Sequence, residues 1–76
     1  MKKILTNLLL GETATITKIL EDTPTTRRLM EIGFIKGRKV KMVRMSPNKK
    51  IYVVELLDYQ IEIRKNILKL IEVESE

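Results

Sequence analysis

The chain has 76 residues, with 15 Lys and Arg against 10 Asp and Glu for a net charge of +5, and it contains neither His nor Cys. Without them it has no disulfides, none of the usual soft and borderline metal ligands, and no imidazole or thiolate for nucleophilic catalysis. The length fits one domain, 1–76, whose core must be aliphatic because Phe34, Tyr52 and Tyr59 are the only aromatic residues.

The acidic residues are scattered and never form a ligand-spaced loop, so the sequence predicts no cofactor, no metal site and no enzyme. The basic residues are interleaved with acids. They read as the solvated faces of strands guarding sheet edges, not as a nucleic-acid stripe. No apolar run approaches the roughly 20 residues of a membrane span. Ile4-Leu5, after Met1-Lys2-Lys3, is too short for a secretion signal and is broken by Thr6 and Asn7, so the expected location is cytoplasmic.

The first element in chain order is a strand over Glu12–Leu20, rich in Thr and Ile, with Ala14 and Ile16 on one face. A helix of about two turns follows. Thr23 serves as its N-cap and Pro24 as its first residue, and Leu29 and Ile32 share a face. Gly33 stops it as a left-handed C′ residue, and Phe34 packs back on Leu29. Ile35-Lys36-Gly37-Arg38 reads as a type II turn with positive φ at Gly37. Val40–Met45 is a strand whose alternation slips, with Val40 and Met42 on one face and Val43 and Met45 on the other, which predicts a bulge or sharp bend.

Ser46-Pro47-Asn48 is turn chemistry, extended by Lys49 and Lys50. Ile51–Leu57 is the strongest strand, with Tyr52, Val54 and Leu56 on one face, and Asp58 marks a tight turn. Gln60–Arg64 alternates with Ile61 and Ile63 inward. Lys65–Lys69 allows one helical turn, Leu70–Val73 closes the fold, and Glu74–Glu76 is expected to fray. About five short strands, with one short α-helix between the first and second, are too short for two full sheets. The fold expected is mainly β, a small SH3-like barrel.

The stretch Arg27-Arg28-Leu29-Met30-Glu31-Ile32-Gly33-Phe34-Ile35-Lys36-Gly37 resembles the signature of the FeoA family, R-R-L-x-E-[LI]-G-F-x-P-G. The likeness extends over Thr6–Val73. Gly11 and Ile16 fit the family's opening, Val40–Met45 its next strand, and Pro47 its loop. Ile61-Glu62-Ile63-Arg64 is similar to its L-x-[LI]-R, and Leu70–Val73 to its closing strand. Lys36 stands where Pro is frequent and Asp58 where Gly is common, and the loop Ser46–Lys50 is short and lacks a Gly-Asp. The resemblance implies a cytoplasmic, non-enzymatic SH3-like domain beside FeoB, the ferrous iron transporter with a cytosolic GTPase domain. The SH3-like domain of iron-dependent repressors is a related type, here without a helix-turn-helix. The alternative reading is a small nucleic-acid-binding barrel.

Gly33 and Gly37 are backbone devices in this reading, and Phe34 fills the core. Adjacent residues cannot share one helix face, so one of Arg27 and Arg28 is expected to lie along the barrel and the other to face a partner. Arg27, Arg28, Glu31, Lys49 and Lys50 form the expected partner-binding face, taking in the helix and the neighbouring Pro47 loop. Tyr52 and Tyr59 are too few for a proline-rich peptide groove.

Overall fold

A computed structural model, which describes residues 1–75, contains β1 (Lys2–Ile4), β2 (Thr13–Ile19), α1 (Pro24–Glu31), β3 (Lys39–Met45), β4 (Ile51–Leu56), β5 (Tyr59–Arg64), α2 (Lys65–Leu68) and β6 (Ile71–Ser75). A 3-10 turn, Leu5–Asn7, follows β1. The fold is mainly β. The strands form one antiparallel sheet in the order β1-β6-β2-β3-β4-β5.

Among the described residues there are six strands rather than five. The additional one, β1, is three residues with no period of its own; it exists because β6 offers an edge, with Lys2 opposite Glu74 and Ile4 opposite Glu72. Glu74 and Ser75, expected to fray, are therefore held from both sides. Glu74 lies between Lys2 and Thr15, and the Ser75 N–H donates to the Met1 carbonyl at 3.0 Å. Glu76 lies outside the described residues. Counting β1, the helix falls between the second and third strands.

The sheet is also not a barrel closed by hydrogen bonds, since β1 and β5 are the outer strands of the order. The short helix α2 bridges the two ends by packing against β4, β5 and the 3-10 turn after β1. One core runs through the curl, joining Leu5 after β1 to Ile63 of β5 by way of Ala14, Ile16, Val40, Met42, Val54 and Val73.

Helix α1 begins as a capping box. The Thr26 N–H donates to Thr23 Oγ1 at 3.1 Å, and the Thr23 N–H donates to Thr26 Oγ1 at 2.8 Å. Thr26 is fully buried, and its hydroxyl also lies 2.9 Å from the Glu21 carbonyl. The inward pair is Thr26 and Leu29, not Leu29 and Ile32: Ile32 is the C-cap, at φ −97°, where the helix has already unwound, and it is 37% exposed.

Phe34 N–H reaches the Leu29 carbonyl at 3.0 Å and Gly33 N–H reaches that of Met30 at 3.2 Å. These are the two bonds of a Schellman end, with Gly33 at φ +120°. Phe34 is thereby placed in the core against the same cluster as Leu29. The Ile35–Arg38 turn closes with a 3.1 Å bond and Gly37 at φ +92°.

The slip in β3 is a bulge. Met42 faces Val54, Arg44 faces Val53, and Val43 has no counterpart. The added residue returns Met45 to the core side, so Met45 packs with Val40 and Met42 instead of opposing them. At the β4–β5 turn, positive φ falls on Leu57, at +56°, and not on Asp58.

Two predictions follow from these backbone positions. An alanine Cβ at Gly33 would stand 3.3 Å from Tyr59 Oη and 3.4 Å from Leu56 Cδ1, whereas one at Gly37 meets nothing within 4 Å. Gly37→Ala should cost only the left-handed penalty, roughly 1–2 kcal/mol, and Gly33→Ala should cost more; equal losses in thermal melts would contradict this. Leu57 is exposed, so Leu57→Gly removes strain without loss of packing. After the entropy cost of glycine it should stabilise by about 0.5–1 kcal/mol, a rise in Tm of roughly 3–6 °C. A lowered Tm would contradict the assignment.

Candidate functional site

With Thr26 and Leu29 turned inward, Arg27 and Arg28 both project into solvent. Neither lies along the sheet, contrary to the expectation for one of them, because the inward positions are already taken. Arg27 Nε donates to Asp22 Oδ1 at 2.8 Å and Nη2 donates to Oδ2 at 3.0 Å, a two-pronged pair just ahead of the helix. The hydrogen bond from Arg27 holds the Asp22 carboxyl below the usual aspartate range, and the same bond raises the guanidinium. Both side chains are 68% exposed, so water screens the pair and it orients Arg27 more than it stabilises the fold. Arg28 and Glu31 have no side-chain partner among the described residues. Met30, Ile32 and Ile35 are also part-exposed at the C-terminal end of this helix.

The loop between β3 and β4 is rigidly built. Ser46 Oγ–H donates to Asn48 Oδ1 at 2.7 Å, and the Lys50 N–H lies 3.1 Å from both oxygens. The Ile51 N–H also reaches Ser46 Oγ at 3.1 Å, and the Lys49 N–H bonds the Ser46 carbonyl at 2.8 Å, with Lys49 at φ +58°. Pro47, Lys49 and Lys50 are all exposed on this frame. The Lys65 N–H donates to the Lys50 carbonyl at 2.8 Å, which ties the loop to α2.

The expected face joined α1 to this loop, but the structure places them toward different ends of β4. The C-terminal end of α1, at Gly33, abuts Leu56 and Tyr59 where β4 turns into β5. The Ser46–Lys50 loop leads into the other end, at Ile51, about 17 Å away along the strand. Lys50 instead faces Arg64, Lys65 and Lys69 across an open cleft of about 510 Å³. These three cations were not singled out from the sequence. The available signal was Lys65 and Lys69 four apart on a helical turn, next to an Arg that ends a strand.

Tyr52 is buried in the core, so no aromatic pair lines a peptide groove. Tyr59 Oη is buried without a hydrogen-bond partner among the described residues. Among the described residues no three carboxylates converge as metal ligands, and no helix is long and apolar enough to cross a membrane.

The Asp22–Arg27 pair can be checked by titration. Because the folded pKa of Asp22 is depressed, its stabilising effect is present above the ordinary aspartate pKa and is lost as pH falls through the lowered value. Arg27→Ala should return the Asp22 carboxyl to the ordinary range in an NMR titration. Glu12, held low first by the Leu9 N–H and then by Lys3, should not move. An unchanged Asp22 would contradict the pairing.

The FeoA domain sequence model matches residues 3–75. The FeoA protein of Chlorobium tepidum is 27% identical, with a TM-score of 0.89 over 96% of this chain and 70% of that one. The FeoA of Stenotrophomonas maltophilia, described as a prokaryotic SH3 domain protein and solved with zinc, is 27% identical, with a TM-score of 0.81 over 97% of this chain and 89% of that one. IdeR of T. acidophilum is 28% identical, with a TM-score of 0.87 over 99% of this chain but only 34% of that protein. No curated protein sequence matches this chain. With the family signature seated in the α1 end and the match running over nearly its whole length, the chain belongs to the FeoA family.

Proposed function

We propose that this protein is a cytoplasmic accessory and regulatory component of ferrous iron uptake that works, without catalysis of its own, by docking on the FeoB-type membrane transporter. The observation that carries the reading is a family domain bearing exposed charges with no structural task. Arg28, Glu31, Lys49 and Lys50 make no side-chain hydrogen bond or ion pair among the described residues, yet they stand on a capped helix and a hydrogen-bonded loop. Holding such side chains on a rigid frame reduces the entropy lost when a partner binds. A regulatory contact of this kind needs only a modest area with a few residues carrying most of the energy.

The direct test measures FeoB binding, GTP hydrolysis and iron uptake with and without this chain. Binding is then compared for Arg27→Ala, Arg28→Ala, Glu31→Ala and a Lys49→Ala/Lys50→Ala double variant, each first shown by melting to be folded. An anchoring Arg should cost ~2 kcal/mol or more on truncation, about thirtyfold in affinity, while a solvated one should cost almost nothing. If all four variants bind as the unmodified chain does, these surfaces are not the contact.

A further inference from the structure

The cleft between the Ser46–Lys50 loop and α2 collects positive charge that the fold does not use. Lys50, Arg64, Lys65 and Lys69 line it, all are exposed, and none has a side-chain hydrogen bond or ion pair among the described residues. Among the described residues no Asp or Glu shares the lining. Four unneutralised cations around one concavity repel one another, a cost that an anionic occupant would reverse.

The neutral groups point the same way. The Asn48 side-chain oxygen is taken up by Ser46 Oγ–H and the Lys50 N–H, so the donors of its amide are what remain to offer. The Lys50 carbonyl, the nearby backbone acceptor, is occupied by the Lys65 N–H. Ile51, 42% exposed and directly opposite Arg64 in the ladder, gives the cleft an apolar side. Asn66, which also lines the cleft, adds an amide with both donors and an acceptor, so the surface is cationic, richer in donors than in acceptors and partly apolar, and its volume of about 510 Å³ is that of an ordinary ligand cleft.

Resting on the reading that this protein acts by docking, we propose that the Lys50–Arg64–Lys65–Lys69 cleft receives an acidic segment of the partner protein. The Arg64 guanidinium can grip a carboxylate through two parallel bonds, while the three lysines act as less directional charges that tolerate variation in the segment. A concave site favours a narrow chain over a flat membrane surface. These four cations close round a concavity instead of running as the continuous stripe that a nucleic-acid backbone needs, which favours a protein segment.

The experiment titrates the full chain, with amide NMR shifts as the readout, against three probes: a ten-residue peptide of alternating Glu and Asp with Gly spacers, phosphatidylglycerol vesicles, and a short DNA duplex. The peptide should bind, with shifts centred on Lys50, Ile51 and Lys65–Lys69. A Lys65→Glu/Lys69→Glu variant should weaken it by about tenfold or more, because facing like charges are strongly disfavoured. A Lys18→Glu/Lys36→Glu control, with the same change in net charge at exposed positions elsewhere, should bind nearly as the unmodified chain does. Equal weakening by both variants, or binding of vesicles or duplex but not of the peptide, would overturn the proposal. The same double variant is then tested on FeoB. Weakened binding supports the cleft as the contact, and unchanged binding overturns its role there while leaving FeoB as the partner. If the unmodified chain does not bind FeoB at all, the functional reading fails, and the peptide arm alone decides the cleft.

Discussion

The last strand holds the domain together. β6 is bonded on one side to β1 and on the other to β2, so within the sheet it is the strand that joins the first residues to the first long strand. Ile71 and Val73 on this strand are fully buried, and the Leu20 N–H extends the β2 ladder past it to the Leu70 carbonyl at 2.7 Å. A domain this small has little stability to spare. An interior strand with two fully buried side chains, β6 makes the core on this side of the sheet conditional on its being paired. Because α2 runs directly into β6, the same pairing fixes where Lys65 and Lys69 stand and so where the basic cleft opens.

The α1 end works alongside this. A short helix cannot persist alone. This one is held by a capping box at its start and by the Gly33 turn at its end, which drives Phe34 into the core. The outward face of α1 is then left free to carry Arg27, Arg28 and Glu31 without a packing role. The double Arg of the family signature thus sits beside the Gly-Phe pair that anchors it. The anchored residues set the geometry and leave the charged ones exposed.

Most of the fold was legible because its devices are local. Thr23-Pro24, Gly33-Phe34, Ile35–Arg38 and the slip in β3 all depend on residues within a few positions of one another, and each formed as a cap, turn or bulge. The failures are non-local. β1 has no periodic signal, and β6 extends two residues further than its own pattern suggests, because each is stabilised by the other across the whole length of the chain. Leu57 takes the positive φ instead of Asp58 because the hairpin register, with Leu56 opposite Tyr59, dictates which loop residue must turn. The site was legible in part. Glu31, Lys49 and Lys50 are exposed as expected, and so are both Arg27 and Arg28 where only one was expected to be, but the grouping of Lys50 with Arg64, Lys65 and Lys69 depends on the β4–β5 pairing and on the bond from Lys65 N–H.

The central claim is that this domain works by offering a rigid charged surface to a transporter. Amide hydrogen exchange of the full chain, with and without FeoB in membranes, tests it most directly. The account predicts slowed exchange in α1, or in the Ser46–Lys50 loop and α2, with β1 and the buried strands unchanged. No change in exchange anywhere, or protection confined to the β1 side of the sheet, would contradict it.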